Sequence, residues 1–133
     1  MPKVRRTNRT NKRKQNKTIA RGRIYVSATF NNTLVSITDE SGNVVCWEST
    51  GAAGFKGSRK STPFAATVTV ENAINKAKSF GMNHMDVYLK GPGTGRDTAL
   101  RVIRAHGIKV GMIADVTPIA HNGTRKRKAK HNR

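Results

Sequence analysis

Acidic residues are scarce in this chain. Seven Asp and Glu stand against 26 Lys and Arg in 133 residues, a formal net charge of +19. So few carboxylates leave little material for acid-base or divalent-metal catalysis. Those present (Asp39, Glu40, Glu48, Glu71, Asp86, Asp97 and Asp115) are scattered, with only Asp39 and Glu40 adjacent. Cysteine is nearly absent. A single Cys46 excludes an internal disulfide, which suits a reducing compartment, and the four histidines show no ligand spacing around it. Long apolar runs are missing too. None approaches the ~20 residues of a membrane span, and the start lacks the apolar core of a secretory signal. Residues 1 to 18 contain no serine and show no amphipathic period, so they read as mature sequence and not as a transit peptide.

The positive charge is abundant and unevenly placed. Residues 1 to 23 carry ten cations and no acid, among them Arg5, Arg6, Arg9, Lys12 and Arg13; residues 121 to 133 carry six more, including Arg125, Lys126 and Arg127. All seven acids lie between 24 and 120, so the middle of the chain is near neutral and the ends hold +16 of the total. Blocks of like charge repel and bury little, which predicts two tails disordered until a polyanion neutralises them. No apolar residue lies between Val4 and Ile19 to insert into a membrane, so nucleic acid is the polyanion expected. The expected organisation is a basic extension over 1–22, a domain over 23–119 and a basic tail over 120–133.

Within the domain, Arg23 to Phe30 alternates as a strand does, with Ile24, Val26 and Ala28 on one face and Tyr25, Ser27 and Thr29 on the other. Asn31-Asn32 marks a turn, Thr33 to Thr38 alternates again, and Asp39 to Asn43 turns into Val44 to Glu48. Three such strands form an antiparallel meander. Residues 50 to 61 show no period and read as a basic loop. Thr62-Pro63 fits a cap and first helical position, and a helix then runs from Phe64 to Phe80 with Gly81 as its stop. A fourth strand holding Val87 and Leu89 ends at Lys90, a second helix covers about Asp97 to His106, and a last strand runs from Lys109 to Val116. The order βββαβαβ predicts one α/β domain with a mixed five-stranded sheet and two crossover helices. Trp47, Phe55, Phe64 and Phe80 are assigned to its core in preference to base stacking.

Three constellations could meet an anion. The first is Lys90-Gly91-Pro92-Gly93-Thr94-Gly95-Arg96, at a strand's end and a helix's start. Its glycines let backbone approach a phosphate, with Lys90 and Arg96 flanking; a tight turn that needs glycine is the competing explanation. It has neither the Gly-Lys-Ser/Thr of a phosphate loop nor a dinucleotide fingerprint. The second is Phe55 to Thr62, where Lys56, Arg59 and Lys60 alternate with the hydroxyls of Ser58, Ser61 and Thr62. The third is His121-Asn122-Gly123, in which His and Asn can stack on or hydrogen-bond RNA while glycine permits a bend into the cation run.

These same runs resemble the small-subunit ribosomal protein eleven family, in its bacterial and organellar form. The matching segments are ATFNNT at 28–33, GFKGSRKSTPFAA at 54–66, KGPG at 90–93, GR at 95–96, DVTP at 115–118 and HNG at 121–123, in the family's order. The resemblance implies a ribonuclease-H-like motif without nuclease activity, seated on the platform of the small subunit. It implies a bridge between several ribosomal RNA helices, a share in the messenger cleft where the Shine-Dalgarno pairing forms, and ribosomal proteins seven, eighteen and twenty-one as neighbours. Cofactor and small-molecule substrate are not expected. The ribosome would be that of a bacterial cytoplasm, or of a plastid or mitochondrion. Lys56, Ser58, Arg59, Lys60, the Lys90 to Arg96 turn and His121 to Arg125 carry over as RNA-facing. Ala120 stands where bacterial members usually have proline, and Thr124 where many have cysteine.

Overall fold

A computed structural model describes residues 19–125, 127 and 128. Five strands, β1 (Arg21–Ala28), β2 (Thr33–Asp39), β3 (Val44–Ser49), β4 (His84–Lys90) and β5 (Lys109–Asp115), form one sheet in the order β3-β2-β1-β4-β5. The two helices are α1 (Pro63–Ser79) and α2 (Gly95–Ala105). β1 pairs antiparallel with β2, and β2 with β3, as expected of the meander; β1 with β4 and β4 with β5 are parallel. This is the single α/β domain with a mixed sheet and two crossover helices that the element order predicts.

Alternation puts Ile24, Val26, Val35, Ile37, Met85, Val87 and Leu89 on one face of the sheet, where they form a single cluster with Val70, Ala73 and Ile74 of α1 and Ala99, Val102 and Ile103 of α2. Both helices therefore lie on the same face. α1 begins where expected: the Thr62 hydroxyl accepts from the Ala65 N–H at 3.2 Å, and Pro63 fills the first helical position. Its threonines are accommodated by back-bonding, Thr67 Oγ1 donating to the Pro63 carbonyl and buried Thr69 Oγ1 to that of Ala65. Gly81, at φ 84°, ends it. The only carboxylate buried in this layer, among the described residues, is Glu48 on β3, and Lys76 of α1 reaches it at 2.8 Å.

Three expectations are revised. The core is built of Ala, Val, Ile and Met, while Trp47 is 60% and Phe64 68% exposed. Trp47 alternates out of the covered face of an edge strand, and Phe64, on the first turn of α1, meets Phe55 edge-on with ring centroids 5.9 Å apart. The segment read as a loop contains a 3-10 helix over Gly57–Ser61. Finally, ordered structure reaches back past residue 23: the Ile19 N–H donates to the Phe80 carbonyl at 2.9 Å, and Ile19 packs on the core. The cationic positions Arg5, Arg6, Arg9, Lys12 and Arg13, with Lys126, lie outside the described residues, as does the disorder expected of residues 1–18; the described part of the C-terminal tail, 120–125 with 127 and 128, has no helix or strand.

Candidate nucleic-acid interface

All three constellations emerge at one end of the sheet, the carboxyl ends of parallel strands β1, β4 and β5. The turns after β1 and β4, the loop after β3 and the segment after β5 all leave from it. Chain crossovers at this end bring separate loops into reach of one another.

The 3-10 helix is held by its own hydroxyls: Ser61 Oγ donates to the Ser58 carbonyl at 2.7 Å and Thr62 Oγ1 to that of Arg59 at 2.8 Å. The hydroxyls thus fix the backbone, and the cations are left to project. Lys56, Ser58 and Arg59 are exposed and Lys60 is half-buried. Among the described residues no carboxylate pairs with Lys56, Arg59 or Lys60. Thr94 Oγ1 donates to the Ser61 carbonyl at 3.5 Å, tying this segment to the next turn.

In the Lys90 to Arg96 turn, the glycine amides are engaged within the protein. The Gly93 N–H donates to the Ala28 carbonyl at 2.9 Å, and the Gly91 N–H to Thr117 Oγ1 at 3.0 Å. Gly91 has a φ of 95°. A Cβ on Gly93 would lie 2.7 Å from the Ala28 carbonyl carbon. A Cβ on Gly95 would lie 2.6 Å from Thr33 Oγ1. These three glycines let the turn press onto the end of β1, and Lys90 remains exposed. Arg96 is turned inward along the rim, donating to the Gly91 carbonyl at 3.2 Å and to Asp115 Oδ2 at 2.6 Å. Thr117 donates to Asp115 Oδ1 from both hydroxyl and backbone. These bonds, those of Thr117 first and Arg96 after, hold the Asp115 carboxyl at about 2, against an ordinary 3.8.

Past β5 the chain has no regular structure, and His121, Asn122, Gly123 and Arg125 are all exposed. The bend rests on Asn122, whose φ is 63°, and not on Gly123 as the sequence indicates. Asparagine tolerates the left-handed region because its short amide can bond locally.

Sequence reasoning missed two features of this end. Phe30, 74% exposed, caps the turn after β1. Its neighbour Asn32 carries a side-chain oxygen that accepts from the Thr33 N–H at 2.8 Å and from the buried Thr50 hydroxyl, joining that turn to the loop after β3. Alternation extended to Phe30 would set it on the face of Ile24, Val26 and Ala28, but β1 ends at Ala28, and the Asn31-Asn32 turn was the available signal that the strand stops short of it.

The family model for ribosomal protein S11 matches residues 22–131, which spans the domain and every loop just described. The chain belongs to the ribosomal protein S11 family. It is accordingly a small-subunit ribosomal protein, an RNA-binding constituent of a ribonucleoprotein that acts in translation and associates with small-subunit ribosomal RNA and ribosomal proteins. Two of the described carboxylates have structural partners: Asp115 is locked by Thr117 and Arg96, and Asp39 holds its turn through the Asn43 N–H at 2.9 Å. Among the described residues no helix is long and apolar enough to cross a membrane.

Proposed function

We propose that this S11 protein is a non-catalytic structural piece of the small-subunit platform, where its basic end bridges several ribosomal RNA helices beside the messenger cleft. Ribosomal proteins seven, eighteen and twenty-one are its neighbours in this reading, and the ribosome is a bacterial one or that of an organelle. The observation that carries it is the convergence of Lys56, Arg59, Lys60 and Lys90 at one end of the sheet, from which the segment bearing His121 and Arg125 also departs, with the first three free of carboxylates among the described residues. Cations held on short, internally bonded turns contact phosphates with little ordering cost, and several turns at once can span more than one RNA helix. Gly91, Gly93, Gly95 and Arg96 serve this end by shaping it, and the exposed Ser58, Asn122 and Gly123 add further RNA contacts beside the cations. Arg5, Arg6, Arg9, Lys12, Arg13, Lys126 and Arg127 add sequence-independent attraction to phosphate.

The test is salt-dependent binding to folded small-subunit ribosomal RNA. Each phosphate neutralised contributes roughly 0.7 to 0.9 to the slope of log affinity against log salt, so replacing Lys56, Arg59 and Lys60 by alanine together lowers that slope by about 2 to 3. An unchanged slope, or equal affinity for duplex DNA of the same length, overturns the assignment.

A further inference from the structure

The sheet face opposite the helices carries no covering element among the described residues, and aromatic rings stand on it among its polar and charged side chains. Cross-strand register places Trp47, Ser36, Tyr25, Tyr88 and Ala114 in one row across all five strands. Tyr25 and Tyr88 stack at its centre, centroids 4.9 Å apart and planes 13° from parallel. The residues flanking the pair are small: Ser36 separates Tyr25 from Trp47 by two strand spacings, roughly 10 Å, and Ala114 lies beyond Tyr88 at the other edge.

We infer that this open face is a second RNA site, a platform on which unpaired bases stack against Tyr25, Tyr88 and Trp47. The inference rests on the RNA-binding reading above and extends it to a surface away from the loops. Charge favours this occupant. Arg21, Arg23, Lys90 and Lys109 stand on the same face against the one carboxylate of Asp86, and Glu40 answers Arg21 at the rim at 3.5 Å. Arg23 stands two positions before Tyr25 on the same face of β1, and arginine keeps its charge at any working pH, so a fixed cation lies beside the ring pair. Rings standing on a sheet cannot reach bases inside a duplex, whereas every unpaired base offers a π-face. The face is also continuous with the loop end, because Lys90 closes β4 there and pairs in register with Ser27. A strand of RNA leaving the loops is thereby led onto the tyrosines.

Trp47 is the chain's only tryptophan, so its fluorescence reports this face alone. The probe is short oligo(rA) added to the full chain at moderate salt. Stacking quenches Trp47, and Tyr25→Ile or Tyr88→Ile each weakens the binding read by quenching roughly tenfold. The pair Tyr25→Phe and Tyr88→Phe, which keeps both rings, retains wild-type binding, and the Lys56, Arg59 and Lys60 triple variant still quenches. If circular dichroism shows an isoleucine variant unfolded, Ser36→Leu, which fills the space beside Tyr25, is read in its place and causes the same loss. A wild type that binds ribosomal RNA while oligo(rA) leaves Trp47 fluorescence unchanged overturns the platform and spares the loop interface. So do isoleucine variants that bind as wild type, and variants that bind RNA normally yet fail to enter subunits, which assign the face to a protein. A wild type that binds neither RNA overturns both readings.

Discussion

Gly93 and Lys128 separate two ways in which one residue can matter. Gly93 is buried at the close approach of the β4 turn to β1, and a side chain there meets the Ala28 carbonyl group, its carbon at 2.7 Å and its oxygen at 2.9 Å. Backbone cannot yield as a flexible side chain can, so Gly93→Val is expected to cost ~1–3 kcal/mol by overpacking and to shift the loops at the interface. Lys128 is one exposed cation among several in its tail. Competition of each variant with wild type for incorporation into small subunits checks this: Gly93→Val is depleted and Lys128→Ala is close to neutral. Equal incorporation of the two contradicts the packing argument. Sequence alone locates Gly93 by its glycine-rich run but leaves open whether the run cradles phosphate or closes a turn. That choice is decided by the partner of its N–H, a carbonyl of β1 more than sixty positions earlier, which no local pattern encodes.

Between elements, two charged contacts do different work. Lys76 of α1 covers the Glu48 carboxylate, which is 5% exposed beneath it on β3. Lys76→Met leaves that carboxylate buried and unpaired and is expected to lower stability by ~1–3 kcal/mol, seen as a lower midpoint in chemical denaturation. Glu48→Gln in the same background recovers part of the loss. The second contact ties the end of β5 to the start of α2 through Asp115, Thr117 and Arg96. Because the folded carboxyl of Asp115 sits at about 2, below its ordinary 3.8, its stabilising effect is complete above the ordinary value and disappears as pH falls through the folded one. Thermal unfolding followed from pH 5 down to pH 2 should therefore lose less stability in Asp115→Asn than in wild type, and identical profiles contradict the assignment. The elements themselves are legible from alternation and caps, as Thr62-Pro63 and Gly81 illustrate. The 3-10 helix at Gly57–Ser61 is not, since its bonds come from Ser61 and Thr62 folding back on Ser58 and Arg59, a pattern with no hydrophobic period. Trp47 is misassigned for a related reason: alternation tells which residues share a face, but only the placing of both helices on one side tells which face is covered.

For the whole molecule, charge and shape are divided between different parts of the chain. The ends carry +16 of the +19, while the near-neutral middle carries the sheet and its converging loops. In the proposed reading, attraction that depends on cation count belongs to the former, and orientation to the latter. Removing residues 1–18, which contain eight cations, should lower the salt slope of RNA binding by up to about 7 and leave the preference for ribosomal RNA over duplex DNA in place. A preference lost with the tail contradicts this division, and binding of the truncated chain to both nucleic acids measures it. The strand order has a further effect, felt before any RNA is met. β1 lies at the centre of the sheet, yet its parallel partner β4 is made some sixty residues after it, with α1 in between. A nascent chain can close the β1-β2-β3 meander early, but Ile24, Val26, Val35 and Ile37 then wait uncovered until α1 is made, and one side of β1 waits unpaired until residue 90 has left the exit tunnel. At ordinary elongation rates of ~5–20 residues per second that interval lasts several seconds, the period in which each new copy is most exposed to aggregation and proteolysis.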